Sequence, residues 1–283
     1  MGDGMIERVT TGVMGFDALV EGGLPKGSNV LITGAPGAGK TIFGLHYLYS
    51  GAMAGERGLY ISLDSHSELL KEQALQFGMD FSKLEAEDKV VFLNVPINQM
   101  KFDLFDAIKK AQERIGAKRV VFDSMAMFAI NIDLFTIPIG YVGNTASSVS
   151  LSAGTIEKLN AVSIDDKRND VGGASTNDGD KISYTANSEK RMIYLIVNEL
   201  SRFGTTNIII TYGDLSGATI SNDGVSEYIC DGIVQLYNDR IGIRRMRTIS
   251  ILKMRYTNHS PFVHDFAIGN RGIEVRAAEQ VYK

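Results

Sequence analysis

Cysteine is nearly absent: Cys230 is the single one in 283 residues, so no internal disulfide or thiolate zinc cluster can form, and a reducing cytoplasmic setting is expected. An excess of base is missing too. Lys and Arg number 29 against 33 Asp and Glu, a formal charge of −4. A dedicated nucleic-acid binder is usually basic, so such a role needs a local patch. The opening MGDGMIERVTTG has no apolar run and reads as no secretory leader. Nor is there a clean membrane span. The nearest stretch, 125–142, carries Asn131, Asp133 and Pro138, whereas a spanning helix needs about 20 apolar residues with few charges; it reads as a buried strand end and helix. The four histidines, His46, His66, His259 and His264, lack zinc spacing. Neither a GxSxG nor a catalytic Cys–His signature occurs, and no internal repeat is found.

What is present is a rhythm. Segments 30–33 (VLIT), 59–63 (LYISL), 90–94 (VVFLN), 119–123 (RVVFD), 207–211 (NIIIT) and 232–236 (GIVQL) are apolar without alternation, as strands buried on both faces are. Helical faces lie between them: Ile42, Leu45, Leu48, Tyr49 and Ala52, with Gly55 to end the helix; then Phe102, Phe105, Ile108 and Ile115; then Met192, Leu195, Ile196, Leu200 and Phe203. Strand and helix in succession predict an α/β fold with a mainly parallel sheet covered on both faces. The tail differs. Segments 248–254, 261–268 and 272–275 read as strands joined by turns, which add antiparallel strands at one edge. With one phosphate-loop motif in the chain, a single domain spanning 1–283 is expected.

One segment breaks this rhythm. From about 139 to 188 the chain is rich in Gly, Ser, Asn, Thr and Asp, far longer than an ordinary connection. It reads as a surface insertion, or as a lid or partner-binding arm. Its six acids against four bases disfavour contact with a phosphate backbone.

The chemistry starts at Gly34-Ala35-Pro36-Gly37-Ala38-Gly39-Lys40-Thr41, which matches GxxxxGK[ST] between a strand and an amphipathic helix. Glycines let consecutive N–H groups converge on phosphate oxygens, the helix start adds its dipole, Lys40 a charge, and Thr41 a hydroxyl for Mg²⁺. The nucleotide-binding stretch is taken as residues 34–42, closing on Ile42. Asp123 ends an apolar strand. In a parallel sheet all such ends share one edge, so Asp123 would stand beside the phosphate loop and share the Mg²⁺ with Thr41.

These motifs, with the lead-in RVTTGVMGFDALVEGGLPKGSNVLITGAPGAGKT and the closing ILKMRYTNHSPFVHDFAIGNRGIEV, resemble a KaiC-type ATPase of the RecA superfamily, a group with RadA relatives. The resemblance covers the chain outside the insertion and implies a RecA-like core that binds ATP and Mg²⁺. It implies a single-domain relative of KaiC, which carries two such domains, acting as a homo-oligomer in a hexameric ring. It also implies a carboxylate that polarises the attacking water on the loop after the second strand. There the chain has Asp64 and Ser65 where family members usually have two glutamates, which points to slow or absent hydrolysis. Glu68 is a substitute or a solvated helix residue. Lys253, Arg255 and His259 match KMR-x₃-H; in the family the Lys and Arg reach the neighbouring subunit's γ-phosphate. Thr211 would be a polar sensor or a strand-end cap.

Loop 212–226 holds Asp214 and Asp223 and no base, a poor DNA channel. Arg240, Arg244, Arg245 and Arg247 form the densest basic cluster, read as edge protection or as a contact for nucleic acid or an acidic partner. Three functions therefore stand: a slow ATPase working between subunits, a non-hydrolysing ATP-dependent switch or scaffold, and a recombination regulator that binds single-stranded DNA. Nucleic acid is disfavoured, an unidentified protein partner is open, and no membrane partner is expected.

Overall fold

The computed structural model describes residues 6–95, 103–132, 179–213 and 219–276. A short pair, β1 (Arg8–Val9) and β2 (Leu24–Pro25), precedes the main sheet. That sheet contains β3 (Asn29–Gly34), β4 (Gly58–Ser62), β5 (Val90–Asn94), β6 (Arg119–Asp123), β7 (Thr206–Ile210), β8 (Gly232–Ile241), β9 (Arg244–Met254), β10 (His264–Gly269) and β11 (Gly272–Arg276). Its order is β11-β10-β9-β8-β3-β7-β6-β4-β5. From β8 to β5 the strands run parallel, and β9 to β11 are antiparallel at the other edge.

The helices are α1 (Lys40–Met53), α2 (Ser67–Leu75), α3 (Phe81–Ala86), α4 (Leu104–Ile115), α5 (Met125–Ile130), α6 (Gly179–Arg202) and α7 (Ser226–Ile229). Successive strand residues face opposite sides, so the continuous apolar runs feed two core layers. Val30, Ile32, Val121, Ile208 and Ile210 join α1, α2 and α3 in one layer. Leu31, Val120, Phe122 and Ile209 join α4, α5 and α6 in the other. Each large side chain buried this way contributes about 1.5–3 kcal/mol. Local signals fix the helix ends. Asp103 caps α4 by accepting from the Asp106 N–H at 3.0 Å, and Gly116 ends it at φ 59°.

Most expected elements stand within a residue or two of their expected places. β7 runs one residue earlier than NIIIT, leaving Thr211 just past its end. The strand expected at 261–268 begins only at His264; Pro261 has no N–H to give to a ladder. α6 begins at Gly179, inside the segment read as an insertion to 188. The polar composition of the preceding stretch masks a proline-free run from 179 to 202 that can carry a helix. The rest of that insertion, and Phe102, lie outside the described residues. No helix of the described residues is long and apolar enough to cross a membrane.

Candidate functional site

Parallel strands bring Gly34, Ser62, Asp123 and Ile210 to one edge. Ser62 and Ile210 lie level with Asp123, and Ile32 lies level with Ile210. At Gly34 an added Cβ would overlap the Leu236 carbonyl of β8, so only glycine lets the two strands approach before the loop departs. The loop turns through Gly37 and Gly39 at φ 75° and 103°, a region that favours glycine. Lys40 then opens α1, whose first N–H groups have no partners within the helix and suit an anion.

Lys40 is buried. Its Nζ donates to the carbonyls of Gly34 at 2.7 Å and Ala35 at 2.9 Å, and stands 4.3 Å from the centre of the Tyr212 ring. Burial lowers its pKa to about 8, against the opposing pull of the Asp123 charge.

Asp123 is only 6% exposed. Its Oδ2 accepts from the Thr41 hydroxyl at 2.9 Å and from the Tyr60 phenol at 2.7 Å. Tyr60 is itself buried and stacked on Phe92. Burial raises the Asp123 pKa, and the Tyr60 and Thr41 hydrogen bonds oppose that rise. The Asp123–Ser124 peptide is cis, and Ser124 caps α5. The half-buried Thr41 hydroxyl and the buried Asp123 carboxylate, joined by one hydrogen bond, make a hard donor pair that fits Mg²⁺. No group of three His, Cys, Asp or Glu that could hold a metal occurs among the described residues. The remaining positions around such an ion would therefore come from phosphate oxygens and water, as is usual for Mg²⁺.

Asp64 follows β4 and is exposed, its Oδ2 3.4 Å from the Tyr212 hydroxyl. The neighbouring Leu63 N–H donates to the Asp123 carbonyl at 2.8 Å, which ties this loop to β6. Glu68 is exposed and pairs with Lys71 at 2.6 Å, so it is the solvated helix residue of the two readings. A cleft of about 510 Å³ opens above the phosphate loop, lined by Lys40, Thr41, Ser65, Tyr212, Arg247 and Ile268, with Pro36, Gly37, Gly39 and Ile42. Ala38 is buried beneath the loop, its N–H donating to the Ala35 carbonyl.

Other expected residues stand elsewhere. Thr211 is fully buried and does not line the cleft, and its hydroxyl has no hydrogen-bond partner among the described residues. Lys253 and Arg255 are far from the phosphate loop of their own chain. Met254 pairs with Gly232, which lies level with Val30, and Val30 is four strand positions, about 13 Å, from Gly34. The Lys253 Nζ donates to the Cys230 carbonyl at 2.6 Å, Arg255 pairs with Asp231 at 2.9 Å, and His259 contacts the Ser260 carbonyl at 3.1 Å. Edge protection does not describe Arg247 either. It shares a strand face with buried Ile249, turns into the cleft, and keeps its Nε buried without a hydrogen-bond partner among the described residues. Arg240, Arg244 and Arg245 remain exposed.

Sequence reasoning passed over Tyr60 and Tyr212, and placed Arg247 in the basic cluster and not in the cleft. Counting by twos from Ile249 was the available signal for Arg247. For Tyr212 the signal was a phenol just past a strand's C-terminal end, and for Tyr60 a phenol in the middle of a buried apolar strand.

A protein-family model described as "ATPase: KaiC" matches residues 9–133 and 180–280. A UPF0273 protein of Aeropyrum pernix is 28% identical over 271 residues, covering 96% of this chain and 94% of that protein. The circadian clock oscillator protein KaiC of Synechococcus elongatus is 28% identical over 280 residues, covering 95% of this chain and 44% of that protein. Among solved structures, a KaiC-like protein from Pyrococcus horikoshii superposes with a TM-score of 0.71 at 27% identity, covering 96% of this chain and all of that one. The matched residues contain the phosphate loop, Asp123 and the antiparallel edge, and the chain belongs to the KaiC family of ATPases.

Proposed function

We propose that the chain binds Mg·ATP on the loop from Gly34 to Ile42 and hydrolyses it slowly at interfaces between subunits of a hexameric ring. The observation that carries this reading is the Thr41 hydroxyl on the Asp123 carboxylate, beside the buried Lys40. Lys40 would exchange its two carbonyl partners for phosphate oxygens. Thr41 and Asp123 would hold Mg²⁺. When bound, that ion supplies Lewis-acid neutralisation of phosphate charge. Asp64 would orient a water and accept its proton. The water oxygen bonds to the γ-phosphorus as the bond from that phosphorus to the β–γ bridging oxygen breaks, and ADP departs.

The separation of Lys253 and Arg255 from their own phosphate loop supports a role toward a neighbour's site, where they would neutralise developing charge. A head-to-tail contact of that kind closes into a ring when its rotation permits. The test is ATP turnover together with mass by light scattering, with Mg²⁺ and with EDTA. Turnover that needs Mg²⁺ and an oligomer in ATP is expected; a strictly monomeric species in ATP would overturn the interface.

One observation favours a second reading, a non-hydrolysing ATP-dependent scaffold: Asp64 is exposed and Ser65 follows it in the cleft lining. Single-turnover phosphate release separates the two readings, because a scaffold yields no product above background. With Arg247 turned into the cleft, the exposed basic cluster that would support nucleic acid is reduced to Arg240, Arg244 and Arg245.

A further inference from the structure

Tyr212 sits where three parts of the site meet. Its ring lies over the Lys40 ammonium, 4.3 Å to the centroid. Its hydroxyl is 3.4 Å from Asp64 Oδ2, and the Asp123 charge lies near enough to add to burial in raising the phenol's pKa. The position follows from the sheet order. β7 is the strand between β3 and β6, so the residues just past Ile210 emerge between the phosphate loop and the Asp123 edge. Thr211 N donates to the Ile32 carbonyl at 3.0 Å and anchors the backbone there. Tyr212 is thus carried on the sheet, while Asp64 is an exposed carboxylate on a loop.

An exposed aspartate samples several rotamers, and catalytic geometry tolerates displacements of only about 1 Å. Among the described residues, the phenol is the hydrogen-bond partner of the Asp64 side chain. Contacts of this kind are often long until substrate is bound.

We propose that Tyr212 is the positioning residue for Asp64: its phenol holds the carboxylate toward the attacking water, while its ring, packed on Lys40, ties that carboxylate to the phosphate-binding lysine. The inference rests on the hydrolytic reading above for its catalytic consequence, but not for the contact itself. Burial raises the phenol's pKa to about 12, so it keeps its proton and remains a donor at neutral pH.

Tyr212→Phe keeps the ring over Lys40 and removes only the hydroxyl. In full-length protein with Mg·ATP, kcat should fall about tenfold while KM and the Kd for a fluorescent ATP analogue stay within about twofold, the pattern of an interaction made only in the transition state. The double variant with Asp64→Asn should lose no more than Asp64→Asn alone, since one group acts through the other. An unchanged kcat in Tyr212→Phe, or losses that multiply, would overturn the assignment. A second readout needs no activity. With tyrosine labelled with ¹³C at Cζ, the resonance assigned to Tyr212 by its loss in Tyr212→Phe should move in Asp64→Asn at pH 7.5. Indifference of that resonance overturns the contact. A parent that binds ATP without turnover overturns the hydrolytic reading and the catalytic role, but leaves the contact to be judged by the resonance.

Discussion

The Thr41 hydroxyl donates to Asp123 at 2.9 Å across 82 residues of chain, and the same carboxylate oxygen accepts from Tyr60 at 2.7 Å. A buried carboxylate held by two hydroxyls keeps its orientation when one of them turns to another partner. Tyr60 is therefore the support that would remain if Thr41 and Asp123 hold a cation, as proposed. Tyr60→Phe should keep ATP binding but raise the Mg²⁺ concentration for half-maximal turnover about tenfold, the usual scale for loss of a hydrogen bond behind a metal ligand. It should also cost about 1.5 kcal/mol of stability, because the lost bond was made to a charged group. Mg²⁺ titration of turnover and urea unfolding check the two parts.

Lys40 has a folded pKa of about 8, lowered by burial. Phosphate oxygens favour the charged ammonium, so nucleotide raises that value. Binding should therefore take up a proton wherever the lysine was partly neutral: about 0.8 proton at pH 8.5 and nearly none at pH 6.5. Calorimetry in two buffers of different ionisation enthalpy reads this directly. Lys40→Ala should abolish both the uptake and the binding.

The parallel strands could be read from the residues because burial on both faces writes itself as uninterrupted apolar runs, as in Val120–Phe122 and Ile208–Ile210. The phosphate loop could be read because its chemistry is local. Tyr212 could not be, because its place against Lys40 depends on β7 lying beside β3, a fact of strand order that no local pattern contains. Lys253 and Arg255 were legible as a motif, but not as residues remote from their own loop until the β8–β9 register was known. The start of α6 was hidden by the composition of the segment before it.

Lys253 and Arg255 stand at the end of the sheet opposite the phosphate loop, so the part proposed for them in turnover would be played toward another copy. Lys253→Ala should leave ATP affinity nearly intact and reduce turnover about 10³-fold, the scale of losing a charge-stabilising finger. If, as proposed, Asp64 serves its own subunit and Lys253 a neighbour's, mixing Lys253→Ala with Asp64→Ala should restore activity that neither variant has alone. A mixture no more active than its parts would show that both residues serve the same site.

His46 lies in α1 and its Nε2 accepts from the Ile273 N–H at 3.1 Å, which fastens the helix carrying Lys40 to the β10–β11 turn. Burial lowers the folded pKa of His46 below its ordinary 6.5. The stabilisation is therefore complete above about pH 6.5. It is lost as pH falls further, because the unfolded chain takes a proton that the folded one refuses. His264 is lowered by burial as well and adds in the same direction. His46→Gln, whose amide oxygen can accept from Ile273, should flatten part of the decline in Tm between pH 7 and 5. Gly272 faces this ring at φ 80°, and a Cβ there would overlap the imidazole. Gly272→Ala should cost about 2–3 kcal/mol through backbone strain and overlap. Since the displaced ring belongs to the helix that begins at Lys40, the same variant should weaken ATP binding from a distance. Urea unfolding and ATP titration of one preparation test both. A stable Gly272→Ala with full affinity would mean that the turn does not hold α1.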